Sequence, residues 1–503
     1  MRLRPTRVLL ACFAVSACTV LEPVDLPPET ARARITAPLW QTLDRGREDA
    51  DWLVLLNDGR EALDWRLQAI DAAVDSVDLQ TFLWTPDAAG SAVVEHLLAA
   101  ADRGVRIRIL VDDSFLAGQD ALVLHMQSHP NIEYRIYNPF QRRASSIAAR
   151  QALNLAEFAR LDHRMHNKSM IVDGAVAIVG GRNLADEYYG LHENTNFRDL
   201  ELLVGGPVVE ELSAAFARYW NNRWSIPVGQ LSHVRPMAPD PTQLAADSVE
   251  IAALHAELTE PARLDAWLAL RRRATSGEVT LLVDDPPREN PAAVADAPIQ
   301  VAHALIRLFD EVEEELVIVS AYLIPTPHVE GAVDRAIGRG VRVRMLTNSI
   351  SSNNHLSAHS AYRNHIDTLL GHGVELYEVR ADAKDRHLYM APPADQKGLA
   401  LHAKALIVDD DQLFIGSANL DPRSLRINTE MGLLVRSPGL NRELRAALQP
   451  DFEAGNAWSL ALDPRGQTQW ISGETVLTAQ PASSFMQRIE DWFFAHLPIE
   501  AEM

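Results

Sequence analysis

The sequence predicts an α/β protein built from two tandem α/β/α sandwich repeats related by pseudo-twofold symmetry. Three observations carry this expectation. First, the chain repeats itself. Arg103-Gly-Val-Arg-Ile-Arg-Ile-Leu110 returns as Arg339-Gly-Val-Arg-Val-Arg-Met-Leu346, and His166-Asn-Lys168-Ser-Met-Ile-Val-Asp173 returns as His402-Ala-Lys404-Ala-Leu-Ile-Val-Asp409. Gly180 and Asn183 return as Gly416 and Asn419, and every pair is 236 residues apart. Separated blocks in one register mark a duplication. Second, apolar runs of strand length alternate with helical stretches in each copy, as in sheets covered by helices. Third, Ser169–Val172 and Ala405–Val408 are short and almost wholly apolar, which suits central strands buried on both faces.

The elements follow in order. Leu53–Leu56 and Thr280–Val283 open the two copies as strands. Helices over Ala62–Ala73 and Val301–Val312 come next, then strands over Val77–Phe82 and Leu316–Tyr322. Helices ending at the Arg103-Gly104 and Arg339-Gly340 turns lead into strands at 105–111 and 341–347. Pro236, Pro239 and Pro241 break the pattern. The first repeat therefore spans 48–235, a linker with a helix spans 236–277, and the second repeat with a C-terminal helix spans 278–503. The linker's Arg271-Arg-Arg273 suits a lipid surface, a nucleic acid or a solvated helix face, and the solvated face is expected. In the C-terminal helix Phe485, Met486, Ile489, Trp492 and Phe493 recur at helical spacing; this stripe suits a membrane surface or the body, and packing on the body is expected.

The N-terminus carries an export signature. Arg2, Arg4 and Arg7 precede a short apolar core, Val8–Ala17, too short to span a membrane but suited to a signal peptide over 1–17. Val15-Ser-Ala-Cys18 resembles a bacterial lipobox, which predicts cleavage before Cys18, acylation of its thiol and an 18–47 tether. Cys12 and Cys18 are the two cysteines of the 503-residue chain, so the mature protein has no free thiol and no disulfide. Thr19 in place of Asp favours the outer membrane over the inner. A lipid-anchored, periplasm-facing protein of the bacterial envelope is expected.

The net charge of −21 falls to −24 once Arg2, Arg4 and Arg7 are removed. A globally acidic surface repels DNA and RNA, so no nucleic-acid partner is expected. A composition 47% hydrophobic and 23% charged excludes a mainly disordered chain.

The chemistry lies in the repeated H-x-K-x4-D: His166, Lys168 and Asp173, then His402, Lys404 and Asp409. Imidazole accepts and donates protons near neutral pH and attacks phosphorus. A Lys two residues on along a strand points to the same side and sets a positive charge beside the His. An anionic phosphodiester suits that pair, with Asn183 and Asn419 as amide donors to its oxygens. Two half-sites meeting at a pseudo-twofold axis bring two imidazoles to one phosphorus, and no metal or cofactor is required.

With these motifs the chain resembles the phospholipase D superfamily. Within it, the chain is similar to bacterial cardiolipin synthases, notably the periplasm-facing type C enzymes. The supporting residues are Ile178-Val-Gly-Gly-Arg-Asn183, Asp186-Glu-Tyr-Tyr-Gly190, Phe197-Arg-Asp199 and Gly206-Pro-Val-Val209 in the first half. In the second they are Ile415-Gly-Ser-Ala-Asn419, Asp421-Pro-Arg-Ser424 and Asn428-Thr-Glu430. The resemblance implies that His166 attacks and His402 is the acid/base, an order the symmetric motifs alone leave open. It implies that Lys168, Lys404, Asn183 and Asn419 hold the phosphate, and that Asp199 and Glu430 orient the two imidazoles. Asp173 and Asp409 support the site structurally rather than react. The implied activity is phosphatidyl transfer making cardiolipin through a phosphohistidine. Its substrates would be phospholipids, phosphatidylglycerol and with it phosphatidylethanolamine, handled by a monomer. The competing readings are a hydrolytic phospholipase D, a nuclease or other phosphodiesterase, and a non-catalytic lipid-binding lipoprotein.

Two further signals lie outside the repeated motif. His355, His359 and His365 cluster, but they lack the Glu of H-E-x-x-H, and a polar face or substrate loop is expected there rather than zinc. Asp112-Asp113 sits at a strand end, where a turn or pocket rim is expected.

Overall fold

The computed structural model describes residues 21–35, 37–44, 50–231, 264–287, 300–390 and 392–496. Two mixed sheets dominate. The first has nine strands in the spatial order Thr275–Ser276, Trp52–Leu56, Glu201–Gly205, Val176–Gly180, Ser169–Val172, Ser76–Thr81, Arg106–Asp112, Ile132–Tyr137, Ser225–Pro227. The second has ten: Glu278–Val283, Met431–Arg436, Gln412–Gly416, Lys404–Val408, Glu315–Ser320, Arg342–Asn348, Glu375–Val379, Ala457–Leu462, Thr468–Ser472, Thr475–Leu477. The motif strands occupy equivalent central places. Ser169–Val172 runs antiparallel to Ser76–Thr81, with Val77 opposite Val172; Lys404–Val408 runs antiparallel to Glu315–Ser320, with Leu316 opposite Val408. Every residue of both motif strands is buried, which explains their unbroken apolar character.

Local chemistry sets the helices. Asp58 caps Gly59–Ala72 by accepting from Glu61 N–H, Asp87 caps Ala88–Asp102, and Thr326 with Pro327 starts Pro327–Gly338. The repeated Arg-Gly turns stop the helices because Gly104 and Gly340 take left-handed φ of 97° and 91°. Apolar side chains of both halves then share one layer between the sheets. Val179 and Leu202 meet Val319, Ile407 and Leu433, with Phe216 of helix Val208–Trp220 and Leu444 of helix Pro438–Leu448. Two short strands cross between the halves. Thr195–Arg198 pairs in parallel with Gly398–Leu401, and Met165 bridges Thr429 in parallel.

Three expectations change. The described part of the predicted tether is strapped to the first half. Glu29 accepts from Arg135 and from Trp220 Nε1, each at 2.8 Å, and helix Pro38–Asp44 buries Trp40 and Leu43. The linker helix, Leu264–Arg273, belongs to the same body: Trp267 is fully buried, its ring 5.4 Å from Trp40 and 5.0 Å from Trp65. Its arginine run is largely solvated: Arg272 and Arg273 are exposed, Arg273 pairing with Glu61, while half-buried Arg271 donates to Leu43 O at 3.1 Å.

The third change concerns the C-terminal helix, Phe485–Phe494. It does not pack through its apolar stripe, which is exposed. It docks through Asp491, buried at 0% exposure and held by His359 Nδ1 at 2.9 Å, Ser360 Oγ at 2.9 Å and Arg363 Nη1 at 2.7 Å. Among the described residues no helix is long and apolar enough to cross a membrane. The signal region and Cys18 lie outside the described residues.

Candidate active site

The two cross-half strand contacts build the site. His166 N–H donates to Thr429 O at 2.9 Å, and His402 N–H donates to Arg198 O at 2.9 Å. Each motif histidine is thereby laid beside the residue preceding the other half's carboxylate. His166 Nδ1 lies 2.9 Å from Glu430 Oε2, and His402 Nδ1 lies 2.6 Å from Asp199 Oδ2. Both carboxylates orient a ring of the opposite repeat. With Nδ1–H donated to a carboxylate, Nε2 of each ring keeps its lone pair for chemistry.

The half-sites use different solutions. Gly181 leaves the space that Asp199 fills, since a Cβ there would lie 2.2 Å from Asp199 Oδ1. Its counterpart 236 residues on is Ser417, whose hydroxyl donates to Oε2 of the longer Glu430. Asp199 also accepts from Leu200 N–H at 2.7 Å. The backbone of Glu430 is fixed by Asp284, which accepts Glu430 N–H at 3.0 Å.

Lys168 Nζ donates to His166 O at 2.7 Å, and Lys404 Nζ donates to His402 O. Both lysines are buried. Burial pushes them down, Lys168 to about 7 and Lys404 to about 8, against the pull of Glu430 and Asp199. Burial, with Lys168 and Lys404 nearby, holds His166 well below its ordinary value. Burial and Lys404 bring His402 to about 3 despite Asp199. Both rings are thereby shifted toward the neutral form. Burial raises Glu430 to about 7, opposed by Lys168 and the Ser417 hydroxyl. Burial also pushes Asp199 up, but His402 outweighs it and holds that carboxyl below the usual range. The lysine of each half acts on the histidine of the other, so the two half-sites form one electrostatic unit.

A cavity of about 500 Å³ opens onto His166. Phe82, Phe115, Phe140, Leu155, Phe158 and Leu161 make much of its wall apolar, and Asn419, Asp421, Arg423 and Tyr322 also line it. Asn419 spends Oδ1 on Tyr322 N–H at 3.4 Å, which leaves its amide nitrogen as the donor at the cavity wall. Asn183 is set differently: its Oδ1 accepts from Leu83 N–H and its Nδ2 donates to Tyr188 OH at 2.8 Å. Tyr188 in turn stands edge-on to His402 with ring centres 4.9 Å apart. Asn183 thus stands behind Tyr188, while Asn419 faces the cavity.

The two motif aspartates stand apart from the reacting cluster and are not catalytic in position. Asp173 follows the end of its strand, at φ 55°, and its carboxylate accepts from Trp40 Nε1, Val74 N, Asp75 N and Ser76 N at 2.8–3.0 Å. Asp409, at φ 50°, likewise accepts from the backbone of Glu313, Glu314 and Glu315. They fasten the far ends of the motif strands.

Asp112 and Asp113 hold the approach to His166. Asp112 accepts from Met165 N–H at 3.1 Å and pairs with Arg164; Asp113 pairs with Arg143 and Arg150. The three clustered histidines part company. His355 lines the cavity, His359 holds Asp491, and His365 pairs with Glu330 at 2.7 Å. Phe82 and Tyr322 join the site although nothing in the sequence separates them from ordinary strand residues, and Tyr188 and Arg423 join it from the blocks Asp186–Gly190 and Asp421–Ser424, where the sequence assigns them no role.

The family model described as "Cardiolipin synthase, PLD-like domain" matches residues 67–220 and 305–452, one stretch in each half. The chain belongs to this phospholipase D-like cardiolipin synthase family. It is 35% identical over 454 residues to cardiolipin synthase C of Escherichia coli K12, covering 86% of this chain and 92% of that one. It is 28% identical to cardiolipin synthase A of Pseudomonas putida, covering 79% and 68%. It is also 30% identical to an uncharacterized Helicobacter pylori protein, covering 87% of each. In fold, it is similar to the crystal structure of phosphatidylserine synthase from Haemophilus influenzae, with a TM-score of 0.54, 14% identity and coverage of 84% and 92%. The cross-paired His166–Glu430 and His402–Asp199 make this chain's site a product of both repeats.

Proposed function

We propose that the protein makes cardiolipin by moving a phosphatidyl group from one phospholipid to another. The observation that carries this reading is the pair of carboxylate-oriented imidazoles, one from each repeat, with a largely apolar cavity opening onto His166. His166, whose Nδ1 is held by Glu430, attacks the phosphorus of phosphatidylglycerol through Nε2. The phosphorus–oxygen bond to the headgroup glycerol breaks, and His402 gives that oxygen its proton. Lys168 and Lys404 supply positive charge to the phosphoryl oxygens, with the Asn419 amide as a neutral donor. The anionic phosphodiester and Asp199 favour the protonated form of His402 needed for this step.

The headgroup hydroxyl of a second phosphatidylglycerol then attacks phosphorus. It passes its proton to His402, and the bond to His166 breaks. Two phosphatidylglycerols yield one cardiolipin and one glycerol; phosphatidylethanolamine as donor releases ethanolamine instead. The apolar walls favour a lipid acceptor over water.

The lipobox-like Val15–Cys18 supports a mature chain acylated at Cys18 and held at the periplasmic side of the envelope, with the outer membrane favoured. Tethering raises the effective concentration of the enzyme at its substrate's surface. Since one chain supplies both half-sites, a monomer suffices.

The test is mass spectrometry of lipid products from phosphatidylglycerol, alone and with phosphatidylethanolamine, using wild type, His166→Ala and His402→Ala. Cardiolipin from wild type alone supports the reading. Phosphatidic acid without cardiolipin makes the protein a hydrolase, and no turnover of either lipid overturns it. The intact mass of the mature protein tests acylation at Cys18, and membrane fractionation tests its location.

A further inference from the structure

The C-terminal helix Phe485–Phe494 is fixed to the body by its polar side and turns its apolar side outward. Asp491 is held by three partners, Gln487 Nε2 donates to Ile350 O at 2.8 Å, and Ser484 caps the start. On the opposite side Phe485, Met486, Ile489, Trp492 and Phe493 are 76%, 59%, 43%, 57% and 55% exposed. A second exposed apolar set, Leu155 and Phe158, lies on the wall of the cavity that ends at His166. The helix Leu356–Tyr362 joins the two sets. Ala358 lines the cavity, and one residue on, His359 and Ser360 grip Asp491.

We propose that the outward face of helix Phe485–Phe494 enters the interfacial layer of a phospholipid bilayer and sets the cavity mouth against the lipid from which its substrate comes. The proposal rests on the reading of that cavity as a phospholipid site. A short helix with aromatic and aliphatic residues on one face and an anchored polar face is built to lie in the membrane plane. Trp and Phe suit that depth, where one side is apolar and the other wet. With a net charge of −21, or −24 once the signal is lost, the protein is repelled by anionic lipid, so contact through this face rests on apolar burial. Raising the salt should therefore leave the contact intact or strengthen it.

The test uses the full-length acylated protein on phosphatidylglycerol/phosphatidylethanolamine vesicles. Brominated acyl chains should quench a tryptophan component that Trp492→Phe removes, equally at low and high salt. The fourfold variant Phe485→Gln, Ile489→Gln, Trp492→Gln, Phe493→Gln should lose at least about tenfold of vesicle turnover. Its turnover of monomeric short-chain phosphatidylglycerol should stay within about twofold of wild type, since these side chains lie outside the cavity. No quenching change in Trp492→Phe, or vesicle turnover unaltered in the fourfold variant, overturns the proposal. A stable dimer that the variant splits while vesicle turnover persists also overturns it, by assigning the face to a second copy. If wild type turns over neither lipid, the cardiolipin reading fails, and the quenching arm alone still decides the docking.

Discussion

His166 in the first repeat is oriented by Glu430 in the second, with Nδ1 2.9 Å from Oε2. The reciprocal contact, His402 with Asp199 at 2.6 Å, makes each half incomplete without the other. Glu430→Gln should lower kcat by about 10²–10⁴ by releasing the ring that attacks, and Asp199→Asn should do the same through the ring that handles the proton. A phosphodiester with a nitrophenol leaving group separates them. It needs no proton in the first step, so Asp199→Asn and His402→Ala should regain a nitrophenol burst while Glu430→Gln stays slow. Equal rescue of all three would contradict the assigned roles.

The residues behind the two carboxylates give a second prediction. A Cβ on Gly181 would collide with Asp199, whereas Ser417 gives Glu430 one hydroxyl donor. Gly181→Ala should therefore cost at least about 100-fold in kcat, and Ser417→Ala about tenfold or less. Steady-state kinetics on both variants, with circular dichroism to show that each is folded, checks the order.

The pH profile follows from the buried charges. Burial raises Glu430 to about 7, so its carboxylate is present above that pH and lost below it. Burial lowers Lys168 to about 7 and Lys404 to about 8, so their charges are present below those values and lost above them. With phosphodiester bound, His402 carries its proton and these three groups must be ionised, so kcat should fall away on both sides of neutrality. The bound anion favours charged lysine, which extends the profile on the alkaline side. Glu430→Gln should remove the acid limb of kcat.

Asp173 should behave as a structural residue. Its carboxylate gathers four donors, each charged hydrogen bond contributing on the order of 1.5–3 kcal/mol. Asp173→Ala should destabilise the fold by about 3 kcal/mol or more, while the folded fraction keeps its turnover within about threefold. Denaturant unfolding alongside activity per active site separates the effects, and a stable but inactive variant would contradict this role.

Much of this architecture was legible from residues. The 236-residue repeat located both motif strands and all eight histidine, lysine and asparagine positions and motif aspartates, because strong local blocks survive duplication. The cross-pairing was not legible. Glu430 lies 231 residues after Asp199, out of the common register, because the first copy has five more residues between its Asn and its carboxylate. Strand pairing between halves depends on tertiary packing, which a linear pattern does not encode. The C-terminal helix shows a related limit. Periodicity revealed its apolar face but not which face meets the body, a choice decided by the distant partners of Asp491.

The central claim is that both halves form one site in which His166 becomes covalently phosphatidylated while His402 manages the proton. The most direct measurement is mass-spectrometric mapping of the adduct in His402→Ala after brief incubation with a nitrophenyl phosphatidyl ester and an alkaline quench. The account predicts a phosphatidyl group on His166 and none in His166→Ala. An adduct on another residue, or product formed with no adduct at all, would contradict it.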